Sequence, residues 1–217
     1  MAKAIIAGAS GLIGGLLLDF LVQSPVYKDI VLLVRKELPL SNKKIKQVVV
    51  DFDRLETYEK EIRGHAVFCC LGSTRKKTPD LDIYRKIDHD YPVQLARMAA
   101  INGVEQYHLV SALGADAHSG NFYTKMKGET EEDIKKSGVR CIHIYRPSIL
   151  TGDRNEKRVT ERILIRVMAV INLFLWRGLR KYRSIPAETV ASAIYKQSLI
   201  HQEGVFIHTS DQIKDIA

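Results

Sequence analysis

Seven residues constrain this chain more than any others: Gly8-Ala9-Ser10-Gly11-Leu12-Ile13-Gly14. They follow directly on a short apolar run, Ala4 to Ala7, and lead into a longer one, Leu12 to Val22. Strand, glycine-rich turn and helix in that order let the chain turn tightly, let backbone come close to a pyrophosphate, and let helix pack on strand. The helix N-terminus then offers free N–H groups and the positive end of its dipole to phosphates. The spacing is G-x-x-G-x-x-G rather than the more familiar G-x-G-x-x-G, and a turn can use glycines for steric reasons alone. The rest of the chain decides the matter in favour of a dinucleotide.

Beyond the loop, short apolar runs alternate with helical patterns and no internal repeat is visible. Ile30 to Val34, Val48 to Val50, Ala66 to Leu71, Tyr107 to Val110 and Cys141 to Tyr145 have the composition of strands buried on both faces. Leu81 to Ile101 and Phe122 to Lys136 are long enough for helices, and Asn102-Gly103 and Ser137-Gly138 stand where helices end. This alternation predicts an α/β fold, a Rossmann-like doubly wound parallel sheet. Arg146-Pro147-Ser148 and Thr151-Gly152-Asp153 break the pattern; a helix from Pro186 to about Ile200 and a strand at Val205 to Thr209 follow. The 217 residues are expected to form a single domain, with a cofactor-binding core at 1–153 and a small helical substrate or interface portion at 154–217 over the strand ends.

Composition excludes several alternatives. Hydrophobic residues are 46% and charged residues 27%, so neither a disordered nor a collagen-like chain is expected. No apolar run reaches the ~20 residues of a membrane span, and the N-terminal run is too short for a signal peptide. Cys69, Cys70 and Cys141 are too few for a disulfide framework and read as small buried hydrophobes in a reducing compartment, with the cytoplasm as the expected location. The net charge of +8 is concentrated: between Arg154 and Arg183 stand nine basic residues against Glu156 and Glu161. The remainder is balanced, so no nucleic-acid partner is expected. Within this segment, twelve of the fourteen residues from Ile163 to Trp176 are apolar. A wall of the substrate pocket is the leading expectation, ahead of a subunit interface in a homodimer or contact with an anionic membrane surface.

Cofactor preference and catalysis rest on fewer residues. Where an NAD-binding fold places an acidic side chain to hold the ribose 2′-hydroxyl, this chain has Arg35 and Lys36, with Glu37 as a competitor. A guanidinium pairs with a 2′-phosphate and stacks on adenine, so NADP(H) is expected over NAD(H). Tyr123 and Lys127 stand four apart on a predicted helix and so share a face. No other tyrosine in the chain has a lysine at that offset. An ammonium beside a phenol favours the phenolate, which suits a tyrosine that exchanges a proton with a carbonyl oxygen. Ser111, at the end of the fifth strand, is placed to hydrogen-bond the same oxygen.

Taken in order, Gly8 to Gly14, Cys69-Cys70-Leu71-Gly72-Ser73-Thr74-Arg75, Ser111-Ala112-Leu113-Gly114-Ala115-Asp116, Tyr123-x-x-x-Lys127-Gly128-Glu129 and Tyr145 to Gly152 resemble the short-chain dehydrogenase/reductase superfamily. More narrowly, they resemble its atypical, Tat-interacting-protein-like branch, over about residues 1 to 155. The resemblance implies pyrophosphate contacts at Gly8, Ser10, Gly11, Leu12, Ile13 and Gly14, and a 2′-phosphate contact at Arg35. It also implies adenine contacts at Asp51 and Phe52, ribose contacts at Leu71, Gly72 and Lys127, and a nicotinamide wall from Pro147, Ser148 and Ile149. Many members carry an Asn on the helix after the fourth strand, where this chain reads Ile87-Asp88-His89-Asp90, so an Asn-based proton relay does not carry over. His89 is expected to be a solvated helix residue and His108 a packed one; neither has companions at metal spacing, and no metal is expected. The expected function is an NADP-dependent oxidoreductase acting on a small carbonyl or alcohol. The alternative is an NADPH-binding regulatory or scaffold protein that uses residues 154–183 to engage a partner or membrane surface.

Overall fold

In the computed structural model, which describes residues 2–151 and 182–217, seven strands form one parallel sheet. Six come first: β1 (Ala2–Ala7), β2 (Tyr27–Val34), β3 (Ile45–Val49), β4 (Ala66–Cys69), β5 (Gln106–Val110) and β6 (Cys141–Arg146). Two short strands, β7 (Leu150–Thr151) and β8 (Ile185–Pro186), pair with each other, and β9 (Gly204–Thr209) joins the main sheet beside β6. The sheet order is β3-β2-β1-β4-β5-β6-β9. The chain therefore winds outward in one direction from β1 and in the other from β4, and a crevice opens at the carboxyl ends of those two strands.

Strand alternation feeds two cores. Ile5, Ala7, Val31, Leu33 and Val67 face a layer built from α3 (Tyr91–Ile101) and α4 (Phe122–Lys135). Ala4, Ile6, Leu32 and Phe68 face α1 (Leu12–Gln23) and the later helices, α5 (Ala187–Gln197) and α6 (Ser210–Ile216). Neighbouring residues thus bury in opposite layers, which is why these strands are apolar at every position. The predicted helix stops hold: Gly103 and Gly138 both have positive φ just beyond α3 and α4. The tail divides its work. β7, β8 and the start of α6 lie near the strand ends, where Ser148 N–H donates to Ser210 Oγ at 3.3 Å, whereas α5 and β9 complete the layer and the sheet. The basic apolar stretch, with Ile163 to Trp176, falls outside the described residues.

One predicted helix is interrupted. Residues 81–101 wind as α2 (Leu81–Arg85), then a π-turn (Lys86–Asp90), then α3. Pro92 has no N–H to give the Asp88 carbonyl four residues back. The Thr130 hydroxyl on α4 takes that place, 3.1 Å from the Asp88 oxygen, with the Met126 carbonyl 2.8 Å away as its other acceptor. The extra residue of the π-turn lets Asp88 and His89 both turn inward, and both are buried. His89 is accordingly not a solvated residue: it lies 2.7 Å from Asp90 and 3.3 Å from Asp133.

The packed character expected of His108 is confirmed, as part of a ladder. His108 on β5 stacks on Phe68 and on His143 of β6, with centroids 4.8 Å apart in both cases; His143 stacks on His208 of β9 at 5.2 Å. His143 and His208 also share a 2.9 Å hydrogen bond, and His108 bridges Tyr145 and Gln106. Burial, reinforced by the neighbouring imidazoles, holds His108 well below the usual histidine range, and burial brings His143 down to about 4. The folded state resists protonating groups that the unfolded chain protonates near 6.5, so stability is present above 6.5 and is lost as the pH falls. We expect the urea midpoint to drop progressively from pH 6.5 to 5, at roughly 1.4 kcal/mol per pH unit for each imidazole kept neutral. A midpoint flat across that interval would contradict the buried ladder.

Candidate functional site

The glycine loop sits where β1 passes into α1. Gly8 has φ +94°, and a Cβ there would lie 2.5 Å from the Cys70 carbonyl oxygen; one on Gly14 would lie 2.2 Å from the Gly8 oxygen. Both glycines are therefore close-approach positions that let α1 dock against the end of β1 beside β4. Gly11 is the N-cap residue; no side chain caps the first turn of α1, and that turn carries no acidic residue. Its N–H groups and dipole are available to an anion. Ser10, Gly11, Leu12 and Ile13 line one wall of a cleft of about 480 Å3.

The opposite wall brings together the predicted catalytic residues: Ser111, Tyr123 and Lys127 line the same cleft as the α1 N-terminus, along with Leu71, Gly72, Pro147 and Ser148. Asn121 caps α4 through hydrogen bonds from Tyr123 and Thr124 N–H, which starts the helix in register with the cleft. Gly128 then lets α4 approach the loop after β5, since a Cβ there would lie 2.1 Å from Ala117 N. Tyr123 is half-exposed, whereas Lys127 is buried at 4% exposure.

Three side chains not anticipated from sequence shape the chemistry. The Asp88 carboxylate, 1% exposed, lies 2.8 Å from Lys127 Nζ and accepts the Ser73 N–H at 2.7 Å. Burial alone would lower the lysine, but Asp88 and Tyr123 outweigh it and hold the ammonium above its ordinary range. Desolvation lifts the Tyr123 phenol, Lys127 pulls it down and Asp88 pushes it up, with a net rise. The expected lowering of this phenol by Lys127 alone is therefore more than offset. Ser111 Oγ donates to Glu131 Oε1 at 2.5 Å, and Arg146 grips the same carboxylate with Nε at 3.0 and 3.1 Å and Nη2 at 2.5 Å. With its proton committed to Glu131, Ser111 offers the cleft only lone pairs, a role different from the donor anticipated for it. Glu131 was readable in principle, since it stands four residues after Lys127 on the same face of α4. Asp88 carries no comparable signal.

Other predicted positions lie apart from the cleft wall. Arg35 and Lys36 are exposed at the end of β2, and Asp51 and buried Phe52 follow β3; the Val50 N–H bond to the Val34 carbonyl holds the two strand ends together. They stand on the side of β1 where an adenine ribose would extend from the loop. Ile149 is 51% exposed and does not line the cleft; its carbonyl accepts the Ile185 N–H, and Leu150, paired with Ile185 in the short ladder, forms that part of the wall instead. Cys69 is buried as expected, but Cys70 reaches the cleft. Among the described residues, no group of three or more His, Cys, Asp or Glu is arranged to hold a metal ion, and no helix is long and apolar enough to cross a membrane.

Comparison with known proteins agrees with this geometry. A family model described as NAD(P)H-binding matches residues 8–197. Protein HTATIP2 of Rattus norvegicus is 34% identical over 163 residues, covering 73% of this chain and 67% of that protein. Protein FMP52, mitochondrial, of Saccharomyces cerevisiae is 34% identical over 159 residues, covering 72% of this chain and 69% of its own. Among solved structures, MoeE5 in complex with UDP-glucose and NAD superposes with a TM-score of 0.71 at 14% identity, covering 97% of this chain and 79% of that one. The UDP-Glc/GlcNAc 4-epimerase of Campylobacter jejuni gives 0.70 at 14% identity, covering 99% and 82%. These last two show a shared fold.

The buried Ser111–Glu131–Arg146 cluster makes a prediction of its own. Glu131→Ala leaves a guanidinium only 25% exposed without its partner and is expected to cost about 3 kcal/mol, read from urea denaturation. Unchanged stability would mean that the carboxylate is not holding Arg146 in solution.

Proposed function

Because this chain belongs to the NAD(P)H-binding, atypical short-chain dehydrogenase/reductase family, we propose that it is an NADP-dependent oxidoreductase transferring hydride between NADPH and a small carbonyl or alcohol. The observation that carries this reading is the single cleft that Tyr123, Lys127 and Ser111 share with the uncapped N-terminus of α1. The cradle fits a dinucleotide: a Cβ at Gly8 or Gly14 would collide with backbone, and no carboxylate in the first turn competes with a phosphate. Ser10 to Ile13 would hold the pyrophosphate, Arg35 and Lys36 the 2′-phosphate, and Lys127 the nicotinamide ribose. When bound, the reduced nicotinamide supplies the hydride.

The protein's own part is proton handling. Tyr123 stays protonated at neutral pH and gives its phenolic proton to the carbonyl oxygen as that oxygen gains charge. The Lys127 ammonium stabilises the phenolate left behind. Ser111, held by Glu131, accepts a hydrogen bond and so suits the alcohol that forms. Pro147 and Leu150 close the cleft with apolar surface.

The test is NADPH oxidation against a panel of aldehydes, ketones and quinones. Turnover is expected on at least one class, with Tyr123→Phe lowering kcat by about a hundredfold to ten-thousandfold, while NADPH affinity stays the same. Tight NADPH binding with no turnover on any compound would contradict the assignment and favour the regulatory alternative. For the cofactor preference, Arg35→Ala is expected to weaken NADPH binding about tenfold, the loss of one charge-assisted contact, and to leave NADH binding unchanged. Equal affinity of the unsubstituted protein for the two cofactors would overturn that preference.

A further inference from the structure

Asp88 is a costly residue to have where it is. Its carboxylate is 1% exposed, and it faces an ammonium whose side chain is 6% exposed. Two buried charges lose more hydration than their attraction readily returns, and a pair of apolar side chains would serve stability as well or better. The backbone also departs from regular helix to put the carboxylate there. The π-turn Lys86–Asp90 turns Asp88 inward, Pro92 leaves the Asp88 carbonyl without its helical donor, and Thr130 supplies one from α4. π-Turns of this kind concentrate at functional sites. Both carboxylate oxygens are engaged, Oδ1 by Lys127 and Oδ2 by Ser73 N–H, so the side chain is fixed at both ends. It also lines the cleft that Tyr123 and Lys127 line.

We propose that Asp88 is a positioning residue of the Tyr123 site: acting through Lys127, it pins the ammonium in one orientation and tempers the charge that Tyr123 faces. The proposal rests on the oxidoreductase reading above. Lys127 has three N–H donors; Asp88 takes one and leaves the others for the cleft that Lys127 lines. Its negative charge offsets part of the ammonium's pull on the Tyr123 phenol, whose rise is due first to burial. The other titratable groups coupled to this set are Tyr84 on α2 and Cys69 on β4, both held above their ordinary ranges mainly by burial and therefore neutral. Arg75, in the loop after β4, acts on Tyr84. Asp88 is thus the anion paired with Lys127 at this point.

The experiment titrates Tyr123 directly in the cofactor-free protein, as the near-ultraviolet phenolate absorbance that disappears in Tyr123→Phe. Asp88→Asn keeps the shape and a hydrogen-bond acceptor but removes the charge. The Tyr123 midpoint is expected to fall by about one pH unit, and the alkaline limb of NADPH-dependent reduction is expected to move down with it. A midpoint unchanged in Asp88→Asn would overturn the proposal, whether or not a substrate has been found. Conversely, a shifted midpoint without turnover on any carbonyl would uphold the coupling while sinking the oxidoreductase reading. Should Asp88→Asn fail to fold, Asp88→Ser offers a second neutral acceptor for the same titration. Failure of both to fold would assign Asp88 to the scaffold and overturn its role at Tyr123.

Discussion

The structure depends on how closely backbone approaches backbone where β1, α1 and β4 meet. Gly8 leaves no room for a Cβ against the Cys70 carbonyl, and Gly14 leaves none against Gly8. Because those contacts are backbone on backbone, no side-chain rearrangement relieves them, and the positions are closed to every residue but glycine. The approach sets the mouth of the crevice between β1 and β4, fixes the uncapped first turn of α1 at its floor, and thereby determines where a dinucleotide lies. Everything on the opposite wall is arranged relative to that line.

The opposite wall repeats the device and adds charge. Gly128 draws α4 against the loop after β5 just as Gly14 draws α1 against β1, and the residue before it is Lys127. Two carboxylates then meet the site from below, each engaged with a cation. Asp88 holds Lys127, while Glu131 holds Arg146 and receives the Ser111 proton. Burial keeps the Tyr123 phenol protonated against the pull of Lys127, and the Ser111 hydroxyl points its proton at Glu131. Pro92, Thr130 and the π-turn belong to the same arrangement: the turn carries Asp88, and Thr130 reaches its carbonyl where Pro92 has no N–H to offer.

How much of this was legible in sequence follows from how local each determinant is. The strands could be read because burial on both faces makes them apolar throughout, and the strand-loop-helix at Gly8 to Gly14 because its steric demand falls within seven residues. Tyr123 and Lys127 could be read because one helical turn fixes their relation. The interruption at residues 86–90 could not, because the donor that replaces the missing Pro92 N–H comes from Thr130, on another helix. The partners of Ser111 are hidden for the same reason: Glu131, which takes its proton, and Arg146, which grips that carboxylate, lie 20 and 35 residues further on. The ladder of His108, His143 and His208 needs the register of three strands, and each histidine alone says only that it is packed. The resemblance implies Ile149 at the cleft, but its side chain is exposed and Leu150 takes that place.

The central claim is that this cleft sets a reduced nicotinamide against a carbonyl within reach of Tyr123. Transfer of label tests this most simply: NADPH carrying deuterium at both hydrogens of the reactive nicotinamide carbon is given in a single turnover to the best carbonyl in the panel, and the product is examined by mass spectrometry. One deuterium on the carbinol carbon is expected for each cofactor oxidised. Oxidation of the bound cofactor with no label in the alcohol would contradict it.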